Sequence, residues 1–176
     1  MIRRYGGLAP TLGARVYVDE QAAVIGDVTL GDDVSIWPFV AARGDVNRIV
    51  VGARSNIQDN SVLHVTHDGP YSPGGVMLTI GEDVTVGHGV ILHACTIGDR
   101  CLIGMGAIVM DRVVVEPEVL IAAGSMVPPG KVLQSGWLYR GAPAQPARAL
   151  TAEERAHFRY SAEHYVRLKN RYLEAD

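Results

Sequence analysis

The feature that most constrains this chain is a period of six. From Ile97 an aliphatic residue recurs at Ile103, Val109, Val115, Ile121, Val127 and Leu133, and Tyr139 continues the phase. The same period runs in shorter blocks: Leu30 and Ile36; Val51, Ile57 and Leu63; Ile80, Val86 and Leu92. Glycine often follows the marker, as at Gly31, Gly52, Gly81, Gly87, Gly98 and Gly104. A second small or aliphatic residue stands four places on, as at Val34, Val40, Val84, Val90, Cys101, Ala107, Val113 and Val119. Six matches neither the helical period nor the alternation of a long strand, so each hexad must be a short strand plus a bend. Three hexads close a triangular coil, and stacked coils bury one aliphatic column along the axis, each coil needing its neighbours. The expected fold class is an all-β solenoid with a core of Val, Ile and Leu, carried by residues from about 13 to 146.

The tail differs in kind. "TAEERAHFRYSAEHYVRLKNRYLEAD", from Thr151, has no glycine or proline and opens with a capping box, Thr151 and Glu154. Phe158, Ala162, Tyr165 and Tyr172 fall along one helical stripe, which predicts an amphipathic C-terminal α-helix packed on the coil. "GAPAQPAR" (141–148) marks the connector where the repeat stops. The organisation expected is one domain, with the solenoid over 1–146 and the helical tail over 147–176.

A formal charge of −3 and 6% aromatic residues advertise no basic face for nucleic acid or an anionic membrane. "MIRRYGGLAP" has no apolar stretch behind its basic residues, and no run of about 18 apolar residues occurs, so a cytoplasmic protein with small-molecule partners is expected. Cys95 and Cys101 are too few for a disulfide scaffold and lack paired zinc-ligand spacing, which leaves reduced, packed thiols.

Four of the six histidines, His64, His67, His88 and His93, lie within thirty residues of one another. His64 follows marker Leu63 and His93 follows marker Leu92, so the two share a register position. Between Leu63 and Ile80 the spacing is seventeen, which predicts an eleven-residue loop, "GPYSPGGVMLT" (69–79), extruded from the coil. Without that loop, eighteen residues separate His64 from His93, one full coil, so they stack on adjacent coils about 4.8 Å apart. Two imidazoles there can converge on one ion, because zinc takes nitrogen at about 2.0–2.1 Å and its ligand nitrogens then lie about 3.3 Å apart. His88 sits on the preceding side of the triangle and diverges from His93 of its own chain. A neighbouring copy in a cyclic threefold assembly could supply it. His67 stands at the mouth of the loop, and His157 and His164 belong to the tail helix.

"RGDV" (43–46), "NIQDNSVLH" (56–64), "GHGVILH" (87–93) and "GMGAIVMD" (104–111) resemble the γ-class carbonic anhydrase family, over nearly the whole chain. The closest likeness is to its short bacterial members, with a helix after "LYRGAPA". The resemblance implies the left hand of the β-helix, where the general preference of parallel crossovers suggests the opposite. It implies a homotrimer with a metal at each interface, held by His64 and His93 of one chain and His88 of the next. It carries over Arg43 and Asp45 as an interfacial ion pair that orders the site, and Gln58 and Asp59 as polar groups around the metal's solvent. Two positions depart from the archaeal prototype of the family, which has glutamates where this chain has Val46 and His67. His67 is the candidate replacement proton carrier, since imidazole titrates near neutral pH.

The activity expected is that of a zinc lyase: reversible hydration of carbon dioxide to bicarbonate by a metal-bound hydroxide at the trimer interfaces, with iron or cobalt able to take the same ligands. Two alternatives stand beside it. One is an acyltransferase or thioesterase acting on acyl-CoA, as in many hexapeptide-repeat proteins. The other is a catalytically silent metal-binding trimer.

Overall fold

The computed structural model describes residues 1–174. Every marker from Ile97 to Tyr139 is buried, and so is the second column at Val34, Val40, Val84, Val90, Cys101, Ala107, Val113 and Val119. The chain winds as a left-handed parallel β-helix of about eight turns, followed by one α-helix, α1 (Ala152–Glu174). One side of the triangle stacks Ser35–Ile36, Asn56–Ile57, Thr85–Val86, Leu102–Ile103 and Leu120–Ile121. The second stacks Val62–His64, Ile91–His93, Ile108–Val109 and Met126–Val127. The third stacks Leu78–Ile80, Thr96–Ile97, Val114–Val115 and Val132–Leu133. Two longer strands, Ala23–Leu30 and Ala41–Val51, run along both the second and third sides and join them into one sheet.

The glycine that follows a marker has a steric cause. A Cβ built on Gly52 would lie 2.5 Å from the carbonyl carbon of Gly81 in the next coil, closer than side-chain carbons ever approach backbone.

One corner carries a ladder that the hexad pattern does not announce. Arg15, Asp33, Arg54, Asp83, Arg100 and Glu118 all have positive φ and alternate in charge from coil to coil. Arg15 pairs with Asp33, Arg54 with Asp83 and Glu82, and Arg100 with Glu118. Exposed pairs of this kind contribute little each. Their larger consequence is to dock α1, which spans the ladder: Arg155 reaches Glu118 at 2.8 Å and Lys169 reaches Asp33 at 2.8 Å.

The capping box forms, with the Glu154 amide donating to Thr151 Oγ1 at 3.1 Å and the Thr151 amide to Glu154 Oε2 at 2.9 Å. The connector and the stripe differ from expectation. Residues Ala144–Ala149 form a strand antiparallel to Trp137–Gly141, itself the last parallel strand on its side, so the repeat ends in a hairpin rather than an irregular link, and the helix begins at Ala152, directly after the capping residue Thr151. A hairpin there pairs an edge that the last coil leaves open. On α1, Phe158 and Ala162 are buried as expected, but Tyr165 is half-buried and Tyr172 exposed; both meet Trp37, with ring centroids at 5.8 and 5.2 Å.

The stripe also buries Lys169 completely, its ammonium donating to Arg15 O at 2.6 Å, Asp33 Oδ1 at 2.8 Å and Asn170 Oδ1 at 2.7 Å. Without the ammonium, Arg15 O loses its donor and the packing around it is lost, while Asp33 keeps its pair with Arg15. Lys169→Ala is therefore expected to cost about 2 kcal/mol, read as a lower urea midpoint at unchanged slope. A shift worth less than about 0.5 kcal/mol would mean that α1 docks without this contact.

Both cysteines are free and buried. Burial pushes both thiols up, that of Cys101 to about 12, which makes them inert packing groups. No described helix is long and apolar enough to cross a membrane.

Candidate functional site

The excursion between Val62–His64 and Leu78–Ile80 covers residues 65–77 rather than the expected 69–79, because Leu78 and Thr79 already pair as strand. It leaves the register intact: Leu92 pairs with Leu63 and His93 with His64, in parallel. Both imidazoles project outward from the second side of the prism. His64 Nδ1 and His93 Nε2 face each other at 3.1 Å.

The other ring nitrogens are each held by a carboxylate. His64 Nε2 lies 3.2 Å from Asp45 Oδ1, and His93 Nδ1 lies 2.7 Å from Asp111 Oδ1. A carboxylate only accepts, so it selects the tautomer with the proton on the nitrogen beside it. In neutral rings the two facing nitrogens are then both lone pairs. Lone pairs 3.1 Å apart repel unless a proton or a cation lies between them. The separation is within a few tenths of an ångström of the roughly 3.3 Å that tetrahedral zinc requires of two nitrogen ligands.

Burial holds the His64 pKa below the ordinary histidine value, with Asp45 opposing and Arg43 adding to the shift. His64 is thus biased toward the neutral form that ligates. Burial works against ionisation of Asp45, but hydrogen bonds from Arg43 and His64 outweigh it and keep its carboxyl below the usual range. Asp111 behaves likewise: burial opposes, and hydrogen bonds from Thr66 and His93 prevail. Arg43 pairs with Asp45 within the chain, so this ion pair braces the Asp45 carboxylate from the side opposite His64.

His88 lies at the corner that joins the first side to the second, between Gly87 and Gly89, and its Nδ1 lies 2.7 Å from Asp59 Oδ2 in the coil below. Asp59 thus faces His88, leaving His88 Nε2 as the lone-pair nitrogen. Gln58 is buried and donates through Nε2 to Asn56 Oδ1 at 3.1 Å. Gln58, Thr85 and His88 form the polar end of a cleft of about 330 Å³ whose remaining wall is largely apolar, with Leu102, Met105 and Leu120. His67 is exposed at the start of the loop, with its ring beside Gly69. Among the described residues, no three or more His, Cys, Asp or Glu side chains of one chain converge into a metal site. Two groups therefore result: Asp45, His64 and His93 on one side, with Arg43; and Gln58, Asp59 and His88 at a corner.

Asp111 was not singled out in the sequence, although a signal for it exists. It follows His93 by eighteen residues, the same one-coil spacing that relates His93 to His64.

Beside the histidine column runs an apolar one. Val62, Ile91 and Ile108 are consecutive in register, all pointing outward, and are 39%, 39% and 37% exposed. Ile91 precedes His93 by two residues and shares its outward direction.

The family model described as "Bacterial transferase hexapeptide (six repeats)" matches residues 94–129. Protein YrdA of Escherichia coli is 56% identical over 99% of this chain and 95% of its own length. The mitochondrial gamma carbonic anhydrase 2 of Arabidopsis thaliana is 44% identical over 91% of this chain, which spans 57% of the plant protein. Among solved structures, a hexapeptide transferase family protein from Anaplasma phagocytophilum superposes with a TM-score of 0.90 at 41% identity, covering 98% of both chains.

Proposed function

The chain belongs to the hexapeptide-repeat family that includes the γ carbonic anhydrases, and from that premise we propose that three copies assemble around metal sites and hydrate carbon dioxide reversibly to bicarbonate. The observation that carries the reading is the pair of lone-pair nitrogens of His64 and His93, facing at 3.1 Å with each outer nitrogen tied to a carboxylate. His64 and His93 of one copy and His88 of the next would hold the ion, with zinc the expected occupant and iron or cobalt compatible with the same ligands. When bound, it supplies Lewis acidity that makes water a nucleophile near neutral pH.

The chain's own residues do the rest. Asp45 and Asp59 fix the ring orientations of His64 and His88, and Arg43 holds Asp45 in place. Gln58, beside His88 in the cleft wall, orients water on that side. Exposed His67 carries the proton to buffer in place of an acidic shuttle. The apolar column of Val62, Ile91 and Ile108 supplies the contact that brings a second copy's corner over the histidine pair.

Stopped-flow carbon dioxide hydration on the zinc-loaded protein tests the reading, with His93→Ala as control. The expected result is hydration well above the buffer rate that disappears in the variant. Equal rates for the two would leave a silent metal-binding trimer.

A second reading draws on the cleft. At about 330 Å³ it exceeds what carbon dioxide fills, and an apolar wall with a polar end suits the acyl portion of an acyl-CoA, so transfer or thioester hydrolysis is the alternative activity. Zinc uptake without coenzyme A affinity would argue against transfer.

A further inference from the structure

The loop that interrupts the repeat does not merely bulge from the coil. It returns a hydroxyl to the histidine column. Thr66 Oγ1 donates to Asp111 Oδ2, while Asp111 Oδ1 accepts from His93 Nδ1 at 2.7 Å. The backbone of Thr66 is itself held from two directions. Its amide and carbonyl pair with Val76 on the returning limb of the loop, with Val76 N to Thr66 O at 2.9 Å. Asn47 Nδ2 in the coil below donates to the same carbonyl at 3.1 Å. Gly75 closes the packing: a Cβ there would stand 2.5 Å from Asn47 Nδ2 and 2.6 Å from Thr66 O, and its φ is +63°. A further tie, Arg112 to Ser72 Oγ at 2.7 Å, joins the outer part of the loop to the residue beside Asp111.

We infer that Thr66 and Asp111 are positioning residues that lock His93 in the tautomer with its proton on Nδ1, so that the extruded loop sets how strongly His93 Nε2 engages a cation. The physical reasoning is local. A histidine with no partner on Nδ1 favours the other tautomer in water, with the proton on Nε2, and that form cannot ligate through Nε2. A fixed carboxylate at Nδ1 reverses the preference. An unanchored carboxylate would do so less well, because it can rotate away into solvent. Thr66 occupies the second carboxylate oxygen and removes that freedom. Outer partners of this kind change metal affinity by about 10- to 100-fold when deleted. The inference rests on the metal reading for its consequence, but the tautomer itself can be measured without metal.

The experiment uses the metal-free protein and two readouts. Long-range ¹H–¹⁵N correlation of the His93 ring reports which nitrogen carries the proton, and competition with a chromophoric chelator reports zinc affinity. Wild type should show His93 protonated on Nδ1. Asp111→Ala should move His93 to a mixture rich in the Nε2-protonated form and weaken zinc binding by about 10- to 100-fold. Thr66→Val, which removes the donor at nearly constant volume, should shift the tautomer partway and weaken zinc by several-fold, and Thr66→Ser should restore both. Far-UV circular dichroism confirms the coil in each variant. An unchanged His93 tautomer in Asp111→Ala would overturn the inference, as would a Thr66→Val protein indistinguishable from wild type in both measurements. If wild type binds no zinc, the metal reading fails while the tautomer measurement still decides the lock.

Discussion

Ile91→Glu is expected to yield a well-folded single chain of 18.9 kDa, against an expected wild-type mass of about three times that, and to retain less than about a tenth of the wild-type zinc although every ligand is intact. Ile91 sits at the middle of the outward column, between Val62 and Ile108 in the adjoining coils, and is 39% exposed in the single chain. Covering the remaining exposed part of each such side chain contributes about 1 kcal/mol. A carboxylate in the same place instead costs several kcal/mol of desolvation unless it finds a cation. A closed threefold ring repeats the change at every interface, so the losses multiply through the assembly constant. The fold should survive, because the marker at this coil is Leu92, which points inward and is untouched. Zinc should leave with the assembly if His88 of a second copy completes the site. A trimer of normal mass and zinc content would show that this column is ordinary surface. A single chain with full zinc would place the whole site within one copy.

How much of this was legible in the sequence follows from what kind of residue marks each feature. The solenoid was legible because its core uses one chemical class at one spacing: Val109 stands between Ile108 and Met110, and only the recurrence every six residues marks it as inward. The stacking of His93 on His64 was legible once the loop was subtracted from their separation, since parallel coils keep register by hydrogen bonding whatever is inserted at a corner. Asp111 was missed even though it stands one coil beyond His93, because a carboxylate at a turn reads as solvated surface until its neighbour on the next coil is considered. The charge ladder at Arg15, Asp33, Arg54, Asp83, Arg100 and Glu118 was missed for the same reason. Lys169 was missed because a helical stripe is sought among apolar residues, whereas this ammonium is buried by the acceptors of another element. The terminal hairpin was hidden by Gly141, Pro143 and Pro146, which read as a break. Pro146 tolerates its place because Ala144–Ala149 is the last strand of its sheet and needs no outward hydrogen bonds.

We propose that each metal site takes His64 and His93 from one copy and His88 from another. A pure His88→Ala assembly and a pure His93→Ala assembly should both be empty, since every interface in each lacks one ligand. Unfolding the two together in equal amounts and refolding them creates a third kind of interface, in which the His88→Ala chain offers intact His64 and His93 and its neighbour offers intact His88. Random placement around a closed ring of three makes about a quarter of all interfaces complete. Zinc content per chain, measured after desalting, should therefore rise from near zero in both parents to about a quarter of the wild-type value in the mixture. If all three histidines of a site came from one chain, no mixture could rebuild it, and the refolded sample would stay as empty as its parents.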